Sequence, residues 1–246
     1  MNRTLRVLTA ETGAEILANL RQMEFIIPTL VMPAAFYTLF AVVLPGGSGN
    51  AAYMLASFGI FAVLGPAVFG FGVSVANERE RGWLKLKRVV PAPAGSYVGA
   101  KLLATLLVAA IALAEIYAIA GFAAGVELER GVWFSLLGVH LLAAIPFVFI
   151  GLIIGFFMPS NGAVAVSNIV FLSLSALGGL WVPIMLFPPL MQTIASYLPS
   201  YHLAEIALAV IAAPGERDLA GHLTSTLIMT GLLGSGAVLA WANQRS

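Results

Sequence analysis

Six long apolar stretches run along this chain, and each is about as long as an α-helix must be to cross a bilayer. They cover residues 25–44, 53–76, 98–124, 132–157, 163–187 and 221–241. Only 9% of the residues are charged, whereas soluble domains carry about 25%. A membrane β-barrel would instead show alternating segments of about ten residues. The sequence therefore predicts an all-α polytopic membrane protein, one domain over residues 1–246 with six transmembrane helices.

Two further segments are predicted to lie at the membrane surface. Six side chains of residues 4–23 share one helical face: Leu5, Leu8, Thr12, Ile16, Leu20 and Met23. This spacing predicts an N-terminal amphipathic surface helix within residues 1–24, and its evenly spread charges predict no cleavable signal peptide. Residues 178–220 are apolar but interrupted by prolines, which predicts two re-entrant or interfacial helices, at 189–197 and 200–212, before the last span.

The distribution of basic residues predicts the orientation of the spans. If the N-terminus is cytoplasmic, ten of the 12 Lys and Arg residues lie in inner segments, and only Arg130 and Arg217 lie outside. Cytoplasmic loops carry such an excess of positive charge. We therefore expect both termini in the cytoplasm and the segment 178–220 on the outer side.

Half of this positive charge is concentrated between the second and third spans. Residues 77–101 hold six of the 12 Lys and Arg residues, together with Trp83, alternating Leu and Lys, and then Pro91 and Pro93. We interpret residues 77–97 as a cytoplasmic loop to which a soluble partner docks.

Several kinds of site are not expected. The chain has no cysteine, and its three histidines with mostly loop-borne acidic residues do not indicate a metal site. Residues 95–101 lack the spacing and the ending of a nucleotide-binding loop, so the chain is not expected to hydrolyse ATP itself. Residues 46–49 superficially match a serine-nucleophile motif, but with no nearby histidine a turn is the better interpretation. We expect no nucleic-acid partner.

Glu115 is the only acidic residue inside a predicted span. It follows Lys101 by about 14 residues and therefore lies near mid-bilayer, at roughly 1.5 Å per residue. A charge at that depth costs about 2.5–3.5 kcal/mol. The residue either contacts a substrate pathway or is a neutral, hydrogen-bonded core residue, and the sequence leaves both interpretations open.

Other intramembrane polar groups favour a structural interpretation. Hydrogen bonds between helices are predicted for four of them, His140, Asn168, Ser173 and Ser175. Glu205, in the outer segment, is predicted to cap a helix or accept a hydrogen bond. Two glycine pairs at four-residue spacing, 121 with 125 and 151 with 155, permit close helix packing. Pro66 and Pro146 are candidate kinks.

Three features together resemble the permease subunits of type-2 ABC exporters, over nearly the whole chain. They are the surface helix before the first span, the stretch 78–84 followed by Pro91 and 99–101, and the proline-marked segment 179–199. The stretch 78–84 is similar to the family's Glu-x-Glu-x-Gly-Thr-hydrophobic motif, although Trp83 stands where a small residue is usual. The resemblance implies that 78–90 is a coupling helix, and its motif comprises Glu78, Arg79, Glu80, Arg81, Gly82, Trp83 and Leu84.

The same resemblance implies the working assembly. Two permeases, identical or different, would combine with two cytoplasmic ABC ATPase subunits, which bind the ATP, so the permease needs no cofactor of its own. It implies a bacterial or archaeal cell membrane, a path between the permeases lined by the first, second and fifth spans, and an outer gate marked by Pro183, Pro188 and Pro199. Because the path would contain almost no charge, an amphipathic or lipid-like cargo is expected, although glycans stay possible.

Three alternatives to an exporter permease stay open. A proton-coupled carrier would use Glu115 and need no ATPase. An intramembrane enzyme would need acids, histidines or metal ligands at one depth, and the sequence shows no such group. A structural scaffold would explain the basic loop but not Glu115.

Overall fold

The computed structural model describes residues 3–21, 23–83 and 96–243. Within them every regular element is helical, and we number the helices in chain order. They are α1 (Arg3–Asn19), α2 (23–43), α3 (Ala51–Glu80), α4 (Ser96–Phe122), α5 (Arg130–Phe157), α6 (Ser160–Leu177), α7 (Pro189–Ala195), α8 (Pro199–Val210) and α9 (Leu219–Asn243). The turn 158–159 and the last turn of α3 lie at one end of the bundle, which we call the loop end. The turns 44–50 and 123–129 and the segment 178–218 form the far end.

Five of these helices, α3, α4, α5, α6 and α9, are long and apolar enough to cross a membrane. The first predicted span corresponds to α2, which is helical from 23 to 43 but contains wide π-turns at Ile27–Val31 and Leu39–Val43. Pro28 and Pro33 each remove a backbone donor, and the wider turn at Ile27–Val31 accommodates this loss. The multi-pass character is confirmed, whereas the count of six spans stays a prediction.

The fifth predicted span is too long at its far end. It was expected to reach residue 187, but α6 ends at Leu177, and Gly178 and Gly179 follow. Gly179 has φ +76°, a left-handed conformation that other residues rarely adopt. The apolar sequence continues beyond this bend, so hydrophobicity alone does not reveal where the helix stops. The predicted short helices beyond it are present as α7 and α8.

The helix α3 is the centre of the bundle, since 94% of its most apolar 18-residue stretch is buried by the rest of the chain. It packs most closely on α5, where a Cβ on Gly151 would lie 2.7 Å from the Ala67 carbonyl oxygen. A Cβ on Gly155 would lie 2.7 Å from Val75 Cβ. The pair 151 and 155 therefore does permit close packing. The pair 121 and 125 does not serve this purpose, because nothing lies within 4 Å of either position.

A buried histidine ties α3, α4 and α5 together near the far end. His140 is fully buried, and its Nε2–H donates to the Ala56 carbonyl at 3.0 Å. Its Nδ1 must then accept the hydroxyl proton of Tyr117, also at 3.0 Å. The ring fits only because residue 59 is glycine, since a Cβ there would overlap the imidazole. The predicted interhelical bond of His140 is thus confirmed.

The other predicted interhelical bonds are different. Asn168 and Ser175 donate to carbonyls of their own helix, those of Val164 and Phe171, so that prediction was wrong for both. Each side chain donates to the carbonyl four residues earlier in α6, and such a bond needs no second helix. A bond between elements comes instead from Ser200, whose hydroxyl donates to the Leu174 carbonyl at 2.8 Å.

The far end is closed by polar contacts between α8 and the start of α9. Nδ1 of His202 lies 2.9 Å from Nδ1 of His222, and His202 Nε2 bonds the Ser196 carbonyl. Glu205 Oε2 lies 2.9 Å from Arg217 Nε. Glu205 is therefore the partner of an ion pair that fastens the loop before α9 to α8.

Candidate functional site

The last turn of α3 directs three consecutive charged side chains at three different parts of the bundle. Successive residues of an α-helix point about 100° apart, since 3.6 residues complete one turn. Glu78 faces α4 and α1, Arg79 faces the end of α5, and Glu80 faces the start of α6. The end of α3 is therefore linked to four other helices, next to the loop that was predicted to bind a partner.

Glu78 belongs to a buried group that we call the ion cluster: Glu15, Ser74, Glu78 and Lys101. Nζ of Lys101 lies 2.7 Å from the Glu15 carboxylate and 3.0 Å from that of Glu78. The ammonium also donates to Ser74 Oγ at 2.5 Å, and the Ser74 hydroxyl donates to Glu15 at 3.4 Å. The ion cluster thus joins α1, α3 and α4.

The ion cluster is shielded from solvent. The side chain of Lys101 is 2% exposed, that of Glu15 11% and that of Glu78 19%. Burial raises the pKa of Glu15, and the neighbouring Lys101 ammonium offsets only part of that effect. Two carboxylates share one ammonium, so removal of the lysine would leave negative charge in a dry environment.

The contact between α1 and α4 continues beside the ion cluster. The Thr12 hydroxyl lies 3.5 Å from the Ala100 carbonyl and donates to the Leu8 carbonyl at 2.8 Å. Thr12 belongs to the predicted membrane-facing side of the surface helix, and in the structure it is buried against α4. That side of α1 therefore packs at least partly on protein, while its position relative to a bilayer stays a prediction.

Arg79 holds the end of α5. Its guanidinium donates to the Met158 carbonyl at 2.6 Å and to the Phe156 carbonyl. The last carbonyls of a helix have no partner within the helix and carry its negative dipole end. A guanidinium at this position satisfies both requirements and fastens the turn 158–159 to α3.

Glu80 holds the other side of the same turn. Its Oε2 accepts the backbone N–H of Ser160, the first residue of α6, at 3.2 Å. A carboxylate at a helix N-terminus accepts an otherwise unpaired amide and complements the positive dipole end. The turn between α5 and α6 is therefore bonded to the end of α3 on both of its sides.

The remaining described residues of the predicted coupling motif point away from the bundle. Arg81 is exposed, and Trp83 is 54% exposed. Gly82, between these two exposed residues, has φ +73°, a left-handed turn that ends α3. Leu84 and the rest of the predicted loop to residue 95 lie outside the described residues.

A family model described as "ABC-2 family transporter protein" matches residues 5–240, nearly the whole chain. The chain belongs to the ABC-2 transporter family. Among known proteins it is similar to the one named "Putative transport permease YvfS" from Bacillus subtilis (strain 168), with 29% identity over 212 residues. That match covers 84% of this chain and 86% of the relative. The resemblance found in the sequence is thereby confirmed.

An ABC-2 permease is the membrane transport subunit of an ABC transporter and associates with an ABC ATPase subunit. In that setting the predicted coupling motif divides into two groups with different positions. Glu78, Arg79 and Glu80 contact the permease's own helices, whereas Arg81 and Trp83 are available to a partner.

The ion cluster could not be found from the sequence. The sequence places Lys101 among the basic residues of the inner loop and in the family motif, and Glu15 among the spread charges of the surface helix, without connecting them. The positions of the two residues, 86 apart, give no indication that they meet. The available signal was a lysine placed just inside an apolar run, since such a charge requires a partner.

The proline candidates for an outer gate have distinct local roles at the far end. Pro183 precedes the 3-10 turn Ile184–Leu186, and Pro188 immediately precedes α7. Pro199 is buried at the first position of α8, where its missing N–H costs nothing. All three shape the segment between α6 and α9.

Glu115 lies on the outward side of α4. It is half-buried, next to the exposed Ala114 and one turn from the exposed Ile111 and Ala118. Among the residues that the structure describes, none forms an ion pair with its carboxylate as Lys101 and Arg217 do with theirs. The side chain is therefore either protonated or in contact with water or a polar group.

Proposed function

We propose that this ABC-2 permease exports an amphipathic or lipid-like cargo from the cytoplasm or inner leaflet, driven by ATP hydrolysis on a separate cytoplasmic ABC ATPase subunit. The loop end would face the cytoplasm of a bacterial or archaeal cell. The observation that carries the proposal is the arrangement at the end of α3, where two outward-facing residues adjoin three that hold other helices.

The coupling mechanism follows from these contacts. The ATPase would bind the loop at Arg81, Trp83 and the stretch beyond. ATP-dependent closure of the ATPase pair would displace the end of α3. The ion cluster would pass this displacement to α1 and α4, while Arg79 and Glu80 would pass it to the turn between α5 and α6. Short charge-assisted bonds suit this role because they resist separation.

We further propose that the path runs between two permeases along α2 and α6. The resemblance also implies the second predicted span as a wall of the path. That span lies in α3, which the other helices of the same chain enclose. In contrast, α6 exposes a mixed stripe at helical spacing: Asn161, Ala165, Asn168, Leu172 and Ser173. Polar groups facing lipid are costly, which favours a second permease or a hydrated path over them.

ATPase binding is tested by copurification in mild detergent. We expect the wild-type chain to retain an ATPase subunit, and Arg81→Ala/Trp83→Ala to lose most of it, because interface aromatic and Arg side chains each contribute strongly to affinity. Arg130→Ala/Phe134→Ala, which truncates an exposed Arg and an exposed aromatic residue at the far end, is the matched control and should retain the subunit. Equal recovery from both double variants would contradict the proposed docking site.

Glu115→Gln is expected to leave expression intact and to reduce transport about tenfold, the effect of losing one hydrogen bond to a charged group. Transport into inverted vesicles measures this change, with Glu127→Gln, in the far-end turn, as the control. Normal transport by Glu115→Gln would remove the residue from the path.

The same vesicles distinguish the proton-coupled alternative, which the carboxylate of Glu115 favours. If the chain is an ATP-driven permease, transport requires ATP and persists when the proton gradient is dissipated. A carrier would show the opposite dependence.

A further inference from the structure

Two histidine rings meet head to head at the far end, where the start of α8 lies against the start of α9. Nδ1 of His202 lies 2.9 Å from Nδ1 of His222. The ring centroids are 5.2 Å apart, which exceeds the nitrogen separation by about the diameter of one imidazole ring. The two nitrogens therefore point directly at each other, in the geometry of a single N–H···N hydrogen bond.

A second bond of His202 fixes which ring donates. Its Nε2 lies 2.9 Å from the Ser196 carbonyl oxygen, which can only accept, so this nitrogen carries a proton. A neutral imidazole has one N–H, so Nδ1 of His202 accepts and Nδ1 of His222 donates. One N–H···N bond thus connects α8 with α9, and it is shielded from solvent, since His202 is only 7% exposed.

This geometry limits how many protons the two rings can hold. One added proton is compatible with it, because His202 can then donate from Nδ1 while His222 changes tautomer and accepts. A second added proton would place two N–H groups and two positive charges face to face at 2.9 Å, which like-charge repulsion strongly disfavours. The closed arrangement therefore holds at most one added proton, whereas two separated histidines hold two.

The neighbouring groups titrate in other pH ranges or are already paired. Glu205 Oε2 lies 2.9 Å from Arg217 Nε, and Asp218 Oδ1 accepts the Gly221 N–H at the start of α9. Carboxyl groups ordinarily titrate near about pH 4 and phenols near about pH 10, whereas imidazole titrates near about pH 6.5. The titratable and charged side chains that surround the two histidines and the adjacent ion pair are Tyr53, Tyr201, Glu205, Arg217 and Asp218.

We propose that His202 and His222 form a proton-binding site that holds α8 and the start of α9 together at neutral pH and lets them separate in acid. The separated form binds one proton more than the closed form, so a lower pH favours separation. Well below pH 6.5, the ratio of separated to closed molecules should rise about tenfold for each pH unit. Proton binding here does not depend on the ATPase or the cargo, so a negative result would leave the proposed export function untouched.

Spin labels measure the separation directly. Since the chain contains no cysteine, Tyr197→Cys, two residues before α8, and Ala220→Cys, in the first turn of α9, carry one label each at exposed positions. Pulsed electron paramagnetic resonance on the labelled chain in lipid nanodiscs gives the distribution of distances at each pH. We expect a second, longer distance, whose ratio to the closed distance rises at least about threefold between pH 6.5 and pH 5.5. An unchanged distribution over this range would overturn the proposal.

Asparagine variants identify the groups that respond. Asparagine places a polar atom close to the position of imidazole Nδ1 and can donate or accept, so it bonds a neutral or a charged partner ring. We expect His202→Asn and His222→Asn each to keep the closed distance at pH 5.5. Asp218→Asn, in the neighbouring turn, also replaces a titratable group by an amide that can cap α9, and it should keep the acid response. An acid response retained in either histidine variant, or lost in Asp218→Asn, would contradict the site.

Ring-nitrogen NMR of the chain with its natural histidines tests the proton count without relying on any histidine variant. The chain has three histidines, and the third, His140, is buried in α5. With isotope-labelled histidine, we expect one Nδ1 of the His202–His222 pair to be protonated and the other unprotonated at neutral pH. Both rings should become fully protonated only at a pH where the longer distance is present. Two fully protonated rings in molecules that keep the closed distance would show that the pair does not exclude the second proton.

Discussion

Lys101→Met should destabilise the permease by about 3–5 kcal/mol, because removal of one partner leaves buried charge uncompensated. The carboxylates of Glu15 and Glu78 lie 2.7 and 3.0 Å from the ammonium that this change deletes. We expect α1 to separate from α3 and α4, and cargo transport to be lost with it. Thermal unfolding in detergent measures the stability, and proteolysis near α1 measures the separation.

Two further variants show whether the loss of stability in Lys101→Met comes from the uncompensated buried charge. The triple variant Glu15→Gln/Glu78→Gln/Lys101→Met removes the charges together and should recover most of the lost stability. Arg130→Met deletes an exposed positive charge at the far end and should change stability little. If Lys101→Met unfolds at the wild-type temperature, the ion cluster does not join these helices.

Arg79→Met should weaken coupling strongly without abolishing ATPase binding. The change removes the charge-assisted bonds to the Phe156 and Met158 carbonyls, a loss of about 1.5–3 kcal/mol. Of the two links between the end of α3 and the turn between α5 and α6, only the Glu80 bond would then remain. We expect the ATPase subunit to copurify as usual while ATP-dependent transport falls at least tenfold.

Arg79→Lys and Arg81→Met provide the contrast. Lysine keeps the charge but not the planar fork of donors, so transport should be intermediate. Arg81→Met, on the exposed side of the same turn, should weaken ATPase copurification instead. Loss of copurification in Arg79→Met would mean that Arg79 contacts the ATPase directly and would contradict the division of the motif.

The sequence predicts the helices well because a bilayer requires long apolar runs, and these runs are visible without a structure. The predicted second span, 53–76, lies within α3, and the predicted sixth span, 221–241, lies within α9. The overrun of the fifth span has a physical cause, since residues 178–187 are apolar although the chain bends at Gly178 and Gly179.

The candidate site is less predictable because its contacts connect distant parts of the chain. The family motif draws attention to the stretch 78–84, but it does not indicate that Glu78 faces Lys101 or that Arg79 reaches α5. These contacts depend on the rotation of α3 within the bundle, which packing against α5 determines through glycines 151 and 155. For His140, residue type alone predicts an interhelical hydrogen bond, because both ring nitrogens of a buried imidazole require partners.

Cysteine crosslinking tests the central claim most directly, since the chain contains no cysteine and an introduced thiol is therefore its only one. Pro159→Cys, in the exposed turn beside the end of α3, and, as the control, Glu216→Cys at the far end are each treated in native membranes with a short thiol-to-amine crosslinker. If the end of α3 is the docking site, Pro159→Cys forms an adduct with an ABC ATPase subunit, identified by mass spectrometry, and Glu216→Cys forms none. The docking site would be contradicted if Pro159→Cys gave no ATPase adduct, or if Glu216→Cys gave the same one.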